Sequence, residues 1–100
     1  MDERIRNVIN SKIEECISDM ARVSMLVDAL APLHEMDGKH ALALGIILGR
    51  VYNSFYYQSR RMLMRDPSDE EFQELIALLL ARVDELNDAV MKVGAYNIDR

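Results

Sequence analysis

The chain has one cysteine, two prolines, four glycines and no tryptophan in its 100 residues. A lone thiol has no internal partner for a disulfide, and Cys16 sits among apolar positions, so it reads as a small core residue. With only Pro32 and Pro67 to break it, and few glycines, the sequence favours long helices. The longest apolar run, residues 41–49, falls far short of the roughly 20 residues a membrane span needs. The opening residues MDERIRNVIN carry no basic-then-apolar export pattern. The expectation is a cytoplasmic protein with no membrane partner.

Chemistry is also scarce. No glycine-rich phosphate loop is present, and no serine or cysteine nucleophile stands beside a histidine in a recognisable frame. His34, Glu35, Asp37 and His40 cluster near one turn, but their spacing matches no standard zinc site, and the ExxH of di-iron bundles is missing. These residues read as polar turn residues. The sequence therefore predicts no catalytic residue, no metal site and no cofactor, and an enzyme is the less favoured reading.

What is present is helical periodicity. Half of the residues are hydrophobic and 29% are charged, the balance of a folded chain, and the length suits one domain over residues 1–100. Ile9, Ile13, Cys16, Met20, Val23, Val27 and Leu30 recur in steps of three and four, predicting a helix over about 3–31 with acids at its start and Pro32 at its end. Asp37-Gly38 is the expected cap of a second helix over about 38–65, with a seam of Ala41, Leu44, Leu48, Val51, Phe55 and Met62. Asp66-Pro67 ends it. Ser68 and Glu71 form a capping box ahead of a third helix over about 69–93, whose seam is Phe72, Ile76, Leu79, Val83, Leu86, Val90 and Val93. Gly94 stops it, leaving a short tail. The fold class expected is all-α: three long antiparallel amphipathic helices in a bundle, completed by homo-oligomerisation.

Self-association follows from the heptad chosen for the second helix. With Ala41 and Leu48 on the seam, Ala43, Ile46 and Ile47 fall on the far face, where a lone bundle leaves them in water. Met25 and Leu26 join them from the first helix, so these five residues are the candidate oligomer interface. Ala41, Gly45 and Gly49 add a small-residue stripe that fits a contact either within the chain or in a dimer. A two-fold dimer is the favoured assembly.

The net charge of −5 is unevenly spread. Residues 39–65 hold Lys39, Arg50, Arg60, Arg61 and Arg65 and no acid, whereas residues 69–93 hold seven acids against Arg82 and Lys92. One explanation is mutual: the acids Asp69, Glu70, Glu71 and Glu74 face the arginine-rich end of the second helix. The other is a ligand. Arg50, Asn53, Tyr57 and Arg60 share a helix face, with Arg61 adjacent, and arginine with tyrosine suits phosphate and a stacked base. The acidic balance of the whole chain argues against a general nucleic-acid coat.

Glu70-Glu71-Phe72-Gln73-Glu74 and Glu85-Leu86-Asn87-Asp88 resemble, in this region only, the EExxE and ExxD motifs of the MazG-type all-α nucleoside-triphosphate pyrophosphatases. That resemblance implies magnesium held by Glu71, Glu74, Glu85 and Asp88. In the family the motifs stand on different helices; here both fall on one expected helix, with Glu71 and Glu85 about 21 Å apart at 1.5 Å per residue, so only a second subunit brings them together. Residues 56–63 resemble an aromatic-then-basic helix of HEPN-type domains, whose RxxxxH motif is absent. Three functional expectations result. The first is a non-enzymatic helical interaction module, homo-oligomeric and docking another protein. The second is an RNA- or nucleotide-binding protein using Arg50, Asn53, Tyr57, Arg60 and Arg61. The third is a metal-dependent nucleotide pyrophosphatase.

Overall fold

A computed structural model describes residues 1–33 and 38–93 as helices and short connections, with no strand among them. His34, Glu35 and Asp37 of the first turn, and Gly94 with the tail, lie outside the described residues. Helix α1 (Glu3–Ser18) starts where Asp2 Oδ1 accepts the Arg4 N–H at 2.8 Å, and α2 (Met20–Ala29) leads into a tight turn over Ala31–Leu33 that contains Pro32. Helix α3 (Lys39–Leu63) is the longest at 25 residues and ends, as expected, ahead of Asp66-Pro67. Helices α4 (Asp69–Ala81) and α5 (Val83–Met91) complete the chain. The capping box is formed: Ser68 Oγ accepts the Glu71 N–H at 3.1 Å and Glu71 Oε1 accepts the Ser68 N–H at 2.8 Å.

Two of the three expected rods are divided, each at a single residue. Asp19 (φ −102°, ψ 22°) separates α1 from α2, and Arg82 (φ −112°, ψ 18°) separates α4 from α5. At each, the backbone N–H bonds three residues back, Asp19 to Cys16 and Arg82 to Leu79, both at 3.1 Å, so one turn tightens locally. Both residues are also tied sideways. Asp19 faces Arg50 of α3 at 3.4 Å, and Arg82 pairs with Glu14 of α1. Periodicity of apolar residues carries no trace of these polar anchors.

The core is a set of rows. Ile5, Ile9, Ile13 and Cys16 of α1 and Met20, Val23 and Val27 of α2 are buried with Ala43, Ile47, Val51 and Phe55 of α3. Leu75, Leu78, Leu86, Ala89 and Val90 enter from α4 and α5. Burial pushes the Cys16 thiol up, which keeps it protonated and inert, consistent with its place in the core.

Two seams differ from expectation. On α3 the buried row passes through Ala43 and Ile47, both 0% exposed, rather than through Ala41, which lies at the surface. On α4 it passes through Leu75 and Leu78, leaving Phe72 and Ile76, and Val83 at the start of α5, exposed. The reason is the same in both: more than half of each helix circumference is apolar near the point in question, so two three-four patterns fit one sequence and packing selects between them. The molecule measures 46 × 23 × 18 Å, with a radius of gyration of 14.8 Å against about 13 Å for a rounded domain of this length.

Met64 follows α3 with φ 59° and ψ 31°, a left-handed conformation, and its side chain is 85% exposed. Glycine carries no Cβ penalty there, and the methionine side chain has little packing to lose. Met64→Gly is expected to raise the free energy of unfolding by about 0.5–1 kcal/mol, measured by urea denaturation.

Candidate functional site

Helix α3 presents a hollow of about 430 Å³ lined by Asn53, Tyr56, Tyr57, Arg60 and Arg61. Four of the five ligand candidates therefore meet at one place. The fifth does not. Arg50 turns toward α1 and α2, where it bonds Glu15 at 3.2 Å and Asp19 at 3.4 Å, because those carboxylates lie across the helix interface and satisfy its charge. Tyr56, missed in the sequence, takes a place in the hollow. Its ring lies 5.0 Å from that of Tyr52, and its phenol is pushed up chiefly by its hydrogen bond with Tyr52.

The two arginines of the hollow differ. Arg60 stacks over Tyr56 at 5.5 Å and donates from Nε to Asp66 Oδ1 at 2.6 Å, a bond that raises its pKa further. Arg61 is exposed and has no carboxylate partner among the described residues. The hollow thus holds one neutralised and one open guanidinium beside two phenol rings.

The expected mutual neutralisation of the second and third helices is limited to one pair. Arg65 donates to Glu71 Oε1 at 2.6 Å. Glu74 pairs instead with the N-terminal ammonium of Met1, and Asp69 and Glu70 have no cationic partner among the described residues. Farther along, Arg82 takes Glu14, Glu85 at 2.6 Å and the side-chain and backbone oxygens of Asn10 at 3.4 Å. Asp84 and Asp88 are left exposed and unpaired among the described residues.

These pairings engage three of the four carboxylates that the pyrophosphatase resemblance joins, and leave Asp88 without a cationic partner among the described residues. Glu71 caps α4, Glu74 holds the chain start and Glu85 holds Arg82. No group of three or more His, Cys, Asp or Glu able to hold a metal ion occurs among the described residues.

The expected oligomer interface is rearranged. Met25 and Leu26 are exposed, but Ala43 and Ile47 lie in the core and Ile46 is half-buried against it, since the buried row of α3 runs through them. A further open apolar surface lies elsewhere. Leu48, Tyr52, Phe72, Leu75, Ile76 and Leu79 line a hollow of about 340 Å³. It continues through Leu48, Ile76 and Leu79 into one of about 220 Å³ bounded by Leu44, Leu80, Val83 and Leu86. The result is a groove between α3 and the α4–α5 arm, from the Tyr52–Phe72 edge contact (6.1 Å) at one end to Leu44 and Val83 at the other. Leu80 on its wall is 64% exposed. The sequence signal for it was the unbroken run Leu78-Leu79-Leu80 beside Ile76, more apolar surface than one buried face of a helix can absorb.

No helix among the described residues is long and apolar enough to cross a membrane. No protein-family model matches the chain, and neither the curated proteins nor the solved structures contain a match to it.

Glu71 supplies a pH test of the α3–α4 junction. The Arg65 guanidinium and the Ser68 N–H hold its carboxyl at about 2 instead of 4.5. A lowered carboxyl pKa stabilises the fold fully above the ordinary value and ceases to do so as pH falls through the folded one. Stability is expected to drop as pH falls from about 4.5 toward 2, and Glu71→Gln to flatten that drop in urea titrations at stepped pH.

Proposed function

We propose that the protein is a non-enzymatic helical interaction module that works as a homo-oligomer, a dimer being the simplest closed form. In this reading three antiparallel arms, α1–α2, α3 and α4–α5, form the protomer, and a second copy covers its open side. The single observation in support is the apolar groove between α3 and α4–α5, with Phe72, Ile76, Leu80 and Val83 exposed along it. Large apolar residues scattered singly on a surface are ordinary, but a contiguous row marks a contact surface. Its walls carry aliphatic and aromatic side chains and few polar groups, which suits a helix face better than a polar small molecule.

A second reading rests on the α3 hollow. Arg61, unpaired among the described residues beside Tyr57, offers a charge and a ring face to a phosphate and a base, as an RNA or nucleotide site requires. A fluorescent single-stranded RNA is expected to bind with steep salt dependence in that case, and Arg61→Ala to weaken it severalfold; absence of binding at low salt removes the reading. The interaction reading is tested by sedimentation over a range of concentrations. Leu80→Glu is expected to raise the dimer dissociation constant roughly tenfold or more, with little change in melting temperature because Leu80 is mostly in solvent. A wild-type mass of one chain at every concentration would overturn it.

A further inference from the structure

The hollow on α3 is built from two columns of side chains at helical spacing. Asn53, Tyr57 and Arg61 make one and Tyr56 and Arg60 the other, each step being one turn, or about 6 Å along the axis. The columns differ in what they have left to offer. Tyr56 already has Tyr52 beside it and the Arg60 guanidinium over its ring. Tyr57 is mostly exposed and stacks on no other ring among the described residues, and Arg61 has no carboxylate partner among them. One column is occupied by its own neighbours and the other is open.

Uncompensated positive charge is confined to this spot. Of the lysines and arginines among the described residues, only Lys39, Arg61 and Lys92 have no carboxylate within ion-pair reach. Lys39 lies about 33 Å from Arg61 along α3, and Lys92, after α5, lines no part of the hollow. A polynucleotide held along its backbone needs a track of cations. Here there is one point of attachment, so a ligand's charge must be concentrated too. A phosphate monoester meets that demand, with about −1.5 to −2 charges near pH 7 and three terminal oxygens, against a single charge on the diester inside a chain. Asp66 sharpens the demand. It accepts Arg60 Nε at 2.6 Å without lining the hollow, and neither Nη of Arg60 is bonded among the described residues. Arg60 therefore still donates hydrogen bonds while its charge is largely offset. A diester is attracted by Arg61 alone, whereas a dianion draws about twice the Coulomb energy from Arg61 and accepts from Arg60 as well.

We infer that the hollow takes the 5′-phosphate end of a nucleotide, with the phosphate on Arg61 and the free Nη atoms of Arg60, the base on the Tyr57 ring, and Asp66 discriminating against phosphodiesters. The order of the open column fits such a ligand. Arg61 stands one turn from Tyr57, a span that a ribose bridges, and Asn53 one turn the other way offers an amide to the polar edge of a base. This rests on the nucleotide form of the second reading above and adds which phosphate is bound and what excludes the others. The end belongs to a free mononucleotide or to an RNA phosphorylated at its 5′ end, and both present the same chemistry.

The test titrates the full chain by calorimetry at low salt with adenosine 5′-monophosphate, inorganic phosphate, O-phosphotyrosine, and one short single-stranded RNA bearing either a 5′-phosphate or a 5′-hydroxyl. A 5′-phosphate ligand, the mononucleotide or the phosphorylated RNA, is expected to bind, and inorganic phosphate and O-phosphotyrosine to bind roughly tenfold more weakly or less. Phosphorylated RNA bound more tightly than its 5′-hydroxyl form identifies a chain end as the source; the mononucleotide bound without either RNA identifies the free nucleotide. Arg61→Ala is expected to weaken binding roughly tenfold and Tyr57→Leu severalfold, with melting temperatures unchanged because both side chains are in solvent. Asp66→Asn is expected to narrow the preference for the 5′-phosphate over the 5′-hydroxyl RNA by up to about fivefold; a preference it leaves unmoved overturns the role of Asp66. RNA bound equally with and without its 5′-phosphate overturns the inference and leaves RNA binding in place. O-phosphotyrosine bound as tightly as the mononucleotide overturns the nucleotide assignment in favour of a phosphopeptide. No binding by any probe overturns both this inference and the reading beneath it.

Discussion

The structure depends on one uninterrupted helix. Helix α3 is packed by α1, α2 and α5, and its buried residues Ala43, Ile47, Val51, Phe55 and Ser59 are spaced four apart throughout. Since a helix turns 3.6 residues at a time, a row with period four winds round it by about 40° at each step. Elements that follow such a row cannot remain straight and keep contact. The arms on either side of α3 each have one tightened turn, at Asp19 and at Arg82. Each break coincides with a charge that reaches across to another helix, so the electrostatic contacts sit at the points where the backbone changes course.

Those contacts determine which charges remain available. Arg50 is spent on Glu15 and Asp19, and Arg82 on Glu14 and Glu85, so neither belongs to any outward-facing site. Exposed pairs of this type contribute only about 0 to 1 kcal/mol each, and their main effect is on register rather than stability. What they leave over is Arg61 beside Tyr56 and Tyr57 on one side of α3, and the apolar groove on the other.

The all-helical class, the end of α3, the capping box at Ser68 and Glu71, and the gathering of Asn53, Tyr57, Arg60 and Arg61 were all legible in the residues. Each rests on a local rule: a proline that forbids helix before it, a hydroxyl three residues ahead of a carboxylate, or side chains at helical spacing on one face. The division of the outer arms, the departure of Arg50 from the ligand face and the burial of Ala43 and Ile47 were not legible. Each is decided between helices. Arg50 reads the same in sequence whether solvent or Glu15 lies opposite.

The surplus of apolar residues was itself a property of the sequence, because one strip of a helix cannot absorb Phe72, Leu75, Ile76, Leu78, Leu79 and Leu80 together. Which of them would be left in solvent was a matter of tertiary structure. Packing against the rest of the bundle took Leu75 and Leu78 inward and left Phe72, Ile76 and Leu80 facing out. Composition along a helix sets how much apolar surface must find cover. The rotation of that helix about its own axis, set only by its neighbours, decides which residues are covered within the chain and which face outward.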